Sequence, residues 1–420
     1  MAAAGEMTRL PIAAALPPNL AILAVGLQLC ISANLLTWCG VPYMSEGGAL
    51  PFKFHPGTDV LAIASLSRIA QTGLWRAWIS DPVRGTYFLA IGACLMLALL
   101  LSGTGNLIVL LDSFLPAGLF AVAFENASAA QYVRLRRLMQ AAIAVNAMLA
   151  LAEAWLHANL IPLYLNYASY VPLSADFRPT ALYDHPLTGA TMTMMGFALA
   201  PAAGWPRLGY MALLGAAMLA FGGRTALAVT ALGVLGWTVW HVVRLALCRD
   251  PRMTKLLLGV SCAAILALAT GGALLAAGFG GRVIGHLYWD NSAQVRLAQW
   301  HILDRLEFWQ IMFGTPRAEM IAQLTPLHLA AGVDVIENFW LLMFVSLGVV
   351  GFPFFLLAMA SLFAWCWRRS ELGGHLLLVG VLAVASTSNS LGRKSILLVE
   401  LVAAVICSAG RRLPAAARLM

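Results

Sequence analysis

The feature that most limits this chain is a succession of apolar runs along almost its whole length. Clear ones fall near Leu20–Thr37, Thr86–Leu101, Asn106–Phe124, Leu138–Leu160, Leu187–Ala203, Leu208–Phe221, Thr225–Val243, Leu256–Ala277, Phe339–Trp365, Leu376–Ser386 and Ser395–Cys407. A run of about 20 apolar residues is long enough for a helix to cross the hydrocarbon core of a bilayer. Only 10% of the residues are charged and 61% are hydrophobic, with a mean hydropathy of +0.83. Soluble domains carry about 25% charged residues. A β-barrel would show short alternating segments instead. The expected fold is therefore all-α, a polytopic membrane helix bundle. Met1–Pro18 is small and Pro-rich and does not resemble a cleaved signal peptide.

Basic residues then set the expected orientation. Arg134, Arg136 and Arg137 form one cluster, Arg244, Arg249, Arg252 and Lys255 a second, Arg368 and Arg369 a third, Arg411 and Arg412 a fourth. Short loops rich in Lys and Arg stay in the cytoplasm. Placing all four clusters there, together with the N-terminus, requires one more crossing early in the chain. Thr58–Gly73 is the candidate, although it is short and contains Arg68. Because it carries that charge, it must be covered by protein. The count becomes about twelve spans with both termini cytoplasmic. No repeat or composition shift divides the chain, so residues 1–420 read as a single integral membrane domain.

The net charge of +8 is accounted for by these anchors, and no nucleic-acid partner is expected. The seven cysteines form no CxxC pair and lie in or beside apolar runs, which supports neither disulfides nor zinc. No HExxH, paired-Asp or phosphate-loop motif occurs. Neither metal nor cofactor is expected.

The longest polar interval separates the ninth and tenth expected spans, at residues 279–338. At about sixty residues it is too long for a turn, and loops of this length are functional or disordered. Its Trp, Leu and Ile content argues for folding. Short helices packed as a lid over an outward, periplasmic cavity are the expectation. The loop carries Arg282, Arg296, Arg305 and Arg317 among several acids, and some of these are plain surface ion pairs. Arg296 stands out because helical spacing puts it on one face with Trp300, and guanidinium suits phosphate oxygens. Glu337 and Asn338 end the loop where the next span begins. An acid there either satisfies the helix dipole or serves as a general base.

Arg224, in FGGRTAL, begins a helix after two glycines. It is either a snorkelling interface residue or an anion ligand at a helix N-terminus. Tyr183, Asp184 and His185 stand at the outer start of another span, where a lone His is an interface residue or a binding group. Arg393 and Lys394 lie on the outward side against the charge rule, which implies a partner there.

Taken together, these stretches resemble the O-antigen ligase and polymerase superfamily. The resemblance rests on GGRTAL, YDHPLTGA, RLAQW followed by FG, and the loop exit ENFWLLMFVSLGVVGF. It covers roughly Tyr183–Phe352. The Glu-Asn-Phe-Trp exit and the late SNSLGRK stretch are most similar to the VpsF-type exopolysaccharide biosynthesis branch. The resemblance implies a GT-C-like, metal-independent glycosyltransferase of the bacterial inner membrane. Its substrate would be an undecaprenyl-diphosphate-linked oligosaccharide, and other polysaccharide export proteins would be partners. Arg224 and Arg296 would then bind the lipid diphosphate. Glu337 would stand where the ligases have histidine, which favours polymerase over ligase. His185, Asp184, Tyr183, Arg282, Trp300, Asn338, Arg393 and Lys394 would contribute to substrate binding. A lipid-linked sugar transporter and a non-catalytic scaffold are the competing classes. The reading requires Arg224, Arg296 and Glu337 to share one hollow.

Overall fold

A computed structural model describes residues 12–44, 49–79, 81–102, 104–165, 168–170, 177–201, 204–248, 291–331, 335–392 and 397–408, with isolated positions between them. Leu256–Ala277, Arg282 and Arg393 lie outside the described residues. The chain is mostly helical. Its helices are α1 (Ile12–Cys30), α2 (Ala33–Trp38), α3 (Pro56–Thr72), α4 (Pro82–Leu97), α5 (Thr104–Val109), α6 (Leu115–Ala123), α7 (Ala129–Leu156), α8 (Pro186–Ala198), α9 (Trp205–Phe221), α10 (Arg224–Leu247), α11 (Asn291–Ala298), α12 (Phe308–Phe313), α13 (Arg317–Ala331), α14 (Phe339–Arg369), α15 (Leu372–Ala385) and α16 (Leu397–Cys407). One small departure from an all-α chain is an antiparallel hairpin, β1 (Leu163–Leu165) with β2 (Ala168–Tyr170).

Five helices among the described residues are long and apolar enough to cross a membrane: Pro82–Leu101, Asn106–Ala123, Ala129–Leu156, Arg224–Leu247 and Phe339–Arg369. Shorter apolar helices accompany them at Ala15–Cys30, Leu372–Ala385 and Leu397–Cys407. The Arg68-bearing stretch forms α3, which packs along α1 and α6. Pro56 opens it, in the first-turn position where a missing N–H costs nothing, and the His55 side chain caps it by accepting from Gly57 N.

Contacts between distant residues sort the helix ends into two layers. At one end, Arg136 donates to the carbonyls of Leu199 and Ala200, and Arg369 pairs with Asp81. At the other, Asn34 donates to the Asp184 carbonyl, Lys394 to the Tyr43 carbonyl and Asn389 to the Ile336 carbonyl. The described loop helices α11 to α13 belong to this second end. They enclose a small core of their own, with Ile302, Leu324, Val333 and Ile336 against Leu341 and Val345 of α14.

One junction fixes this cap to the bundle. α14 is interrupted at Gly348, whose φ of 65° and ψ of −179° are not helical. Gly314 after α12 has φ 89°, and the two glycines face each other. A Cβ on Gly314 would lie 2.3 Å from the Ser346 carbonyl oxygen, and one on Gly348 would lie 2.4 Å from Gly314 N. The interruption leaves α14 carbonyls without their usual partners. Thr315 N donates to Val345 O, and Asn106 Nδ2 donates to both Ser346 O and Thr315 O. Buried backbone oxygens are thereby satisfied.

Candidate functional site

Arg178, His185, Thr191, Arg224, Thr225, Arg296, Glu337, Thr387 and Ser388 line one hollow at the capped end of the bundle. Arg224, Arg296 and Glu337 are thus brought together from α10, α11 and the start of α14. Among the described residues the lining holds three guanidiniums against one carboxylate, with His185 beside them.

Arg224 is placed by the turn before it. α9 ends in a left-handed Gly222, φ 66°, whose N–H bonds back to Met218 O and Leu219 O. That conformation favours glycine. Gly223 follows, and a Cβ there would sit 2.5 Å from Ala190 Cβ of α8. The turn therefore lies tightly against α8, and Arg224 stands as the first residue of α10.

Arg296 and Glu337 are a pair. Arg296 Nε donates to Glu337 Oε2 at 2.8 Å, with both side chains about one third exposed at 32% and 28%. Gln299 holds the two together. Its Oε1 accepts from Glu337 N at 2.7 Å and Asn338 N at 3.2 Å, while its Nε2 donates to Arg296 O at 2.8 Å. Gln299 is only 2% exposed. Replacing it by alanine leaves the Glu337 and Asn338 N–H groups without that acceptor. The loss expected is about 1–3 kcal/mol, read as a lower thermal midpoint in detergent.

Arg178 is a charged lining residue that sequence reading missed. It donates through Nε and a terminal nitrogen to Phe221 O, at 2.9 and 2.7 Å, and so also closes the end of α9. Its backbone is held from α7. Buried Glu153 accepts from Thr180 N and Ala181 N through Oε2, each at 2.8 Å, and from Leu160 N through Oε1. Asn146 Oδ1 accepts from Leu182 N. Ala181 takes φ 51° within this anchored turn. Glu153→Ala strips three backbone donors of their acceptor and is expected to lower stability by several kcal/mol at about 1–3 each. Glu153→Gln keeps an accepting oxygen and should recover part of the loss in the same melting measurement. The only local signal for Arg178 was an Arg-Pro pair seven residues before His185.

The remaining expected residues scatter around the hollow. His185 lines it and caps α8, its Nδ1 accepting from Leu187 N at 3.2 Å. Tyr183 is buried beneath, with its ring 6.2 Å from that of Phe221. Asp184 offers its carbonyl to Asn34. Asn338 caps α14 through Oδ1 and donates to Ser386 O. It braces the rim and is not among the lining residues.

Two placements differ from expectation. Arg296 and Trp300 do not lie on one continuous α-helix, because α11 ends at Ala298 and tightens into a 3₁₀ helix over Gln299–Arg305. Trp300 lies in that segment, is 48% exposed and is not among the residues that line the hollow. Lys394 does not reach the hollow. It is buried over the Tyr43 ring, donating to Tyr43 O with Asp112 4.0 Å away. Burial pushes its ammonium down to about 8, against the opposing pull of Asp112. Its partner is a protein carboxylate, which also accepts from Tyr43 Oη at 2.6 Å. Thr387 and Ser388, from the same late stretch, are the residues that reach the lining, with Thr387 Oγ1 3.1 Å from Thr225 Oγ1.

No protein-family model matches the chain, and no curated protein matches it closely enough to show a relationship.

Proposed function

We propose that this protein is a polysaccharide polymerase-type glycosyltransferase that joins polyprenyl-diphosphate-linked repeat units. What supports the reading is the meeting of Arg178, Arg224 and Arg296 with Glu337 in one hollow. Diphosphate leaves an anomeric carbon readily when its growing charge is neutralised. Guanidiniums already fixed in a partly dehydrated hollow do that without reorganising. The acceptor hydroxyl loses its proton as it attacks. Glu337 is the carboxylate among the described lining residues and takes that proton. Its ion pair with Arg296 holds it in place, so base and phosphate ligand are set against each other by one contact.

The hollow opens on the periplasm in this reading. The described basic residues Arg134, Arg136, Arg137, Arg368 and Arg369 belong to the opposite helix ends, which the charge rule assigns to the cytoplasm. About twelve spans with both termini inside follow from the same assignment, and the family resemblance implies that they take a GT-C-like arrangement.

The test is reconstitution of the full chain in vesicles with lipid-linked repeat units, scored for longer glycans. Glu337→Gln is expected to lower the rate by about 10²–10⁴-fold with normal insertion. Wild-type vesicles that move the lipid across the bilayer but form no glycosidic bond would replace this reading with a transporter. In cells lacking the protein, single repeat units should accumulate on the lipid. Accumulated finished chains would instead indicate a ligase.

A further inference from the structure

A second group of polar atoms lies apart from the hollow. Glu400, in α16, is 0% exposed, and neither of its carboxyl oxygens meets a hydrogen-bond partner. The same holds for the hydroxyls of Tyr183 and Thr58 and for both amide atoms of Gln28, all buried. Chain position puts these four residues in one layer. Gln28 precedes the end of α1 by two residues, and Thr58 is the third residue of α3. Tyr183 stands three residues before α8, and Glu400 is the fourth residue of α16. Every one of these helix ends belongs to the capped side of the bundle.

We propose that Glu400 is an intramembrane proton-binding site. An isolated ionised carboxylate in an apolar interior costs far more than a neutral acid, and such a group takes up a proton instead. The ionisable side chains within electrostatic reach are Cys30 of α1, Tyr183 ahead of α8 and Cys407 of its own helix. Asp112 lies in the π-helical turn Leu110–Phe114, which also packs on α16. Among the described residues no cation acts on Glu400 itself; Arg136 of α7, which also packs on α16, acts on Cys407, seven residues further along the helix. A bound alkali ion fits less well. Such ions need several hard oxygen ligands held around one point, whereas Cys30 and Cys407, two of the groups that interact with Glu400, offer sulfur. Ionisable residues inside membrane bundles are retained for proton or ion traffic, and Tyr183, within electrostatic reach of Glu400, stands two residues before His185 of the hollow.

The proposal does not depend on glycosyl transfer and can fail independently of it. A lipid-soluble carbodiimide reacts with protonated carboxyls in apolar surroundings. The full chain in lipid vesicles is treated with dicyclohexylcarbodiimide across a pH series and mapped by peptide mass spectrometry. An adduct on Glu400 is expected that fades as pH rises, is unchanged by excess sodium chloride, and is lost in Glu400→Gln. Glu400→Gln, being neutral and of the same shape, should insert and melt like the wild type. No adduct at any pH, protection by sodium ions, or a large fall in the melting point of Glu400→Gln would each overturn the proposal.

Discussion

Arg224→Ala is expected to slow glycan formation by about 10²–10³-fold, the range seen when one preorganised electrostatic donor is removed from a transition state. Arg224 is the informative arginine because its position is set by backbone. The left-handed Gly222 and the close approach of Gly223 to Ala190 fix the start of α10 whatever side chain follows. Removing the guanidinium should therefore leave insertion and melting near those of the wild type. Arg178 differs, since its two bonds to Phe221 O hold the end of α9; Arg178→Ala should lose both rate and stability. Arg224→Lys should recover part of the rate, because the charge returns without the planar fork. An equal fall in kcat and kcat/KM for Arg224→Ala would assign the interaction to the transition state, while a rise in KM alone would assign it to substrate binding. Unchanged glycan yield and length in the alanine variant would remove Arg224 from the chemistry.

How much of this was legible beforehand depends on the range of the interaction. The membrane helices follow from local hydropathy, and the Gly-Gly-Arg turn follows from two residues that permit it. Glu337 and Arg296 were visible as charges beside an apolar run, since such charges need a reason. Their direct pairing was not, because it depends on Gln299 folding back across the loop. Arg178 was invisible for the same reason: Glu153 anchors its turn from the preceding helix, and no spacing in sequence encodes that. Lys394 shows the opposite error. An outward cation did imply a counter-charge, but the counter-charge is Asp112, almost three hundred residues away in the chain, rather than a ligand. Trp300 was expected from α-helical periodicity, which assumes one helix type, whereas the helix tightens right after Ala298 and Trp300 stands outside the lining.

The Gly314–Gly348 junction carries the second large expected effect. Gly348→Ala introduces a Cβ 2.4 Å from Gly314 N and 2.5 Å from Met312 O, both backbone atoms. Neither can rotate away as a side chain would, so α14 or the cap must shift. Overpacking of this kind costs about 1–3 kcal/mol, and a positive φ with ψ near 180°, a region essentially restricted to glycine, adds about 1–3 more. The shift would also break the Thr315 bond to Val345 O and the Asn106 bonds, leaving buried carbonyls unsatisfied. The cap core of Ile302, Leu324 and Ile336 is fastened to α14 within the same stretch, so its loosening should reach Glu337. The expected result is a much lower melting point, faster proteolysis within residues 291–331, and lost transfer even though every lining residue is intact. Gly92→Ala, on α4 with nothing within 4 Å of the added Cβ, is the matched control. It should be neutral or stabilising by up to about 1 kcal/mol. If Gly348→Ala melts and digests like Gly92→Ala, the cap is not held by this contact, and the alignment of Glu337 with Arg296 must come from Gln299 and Asn338 alone.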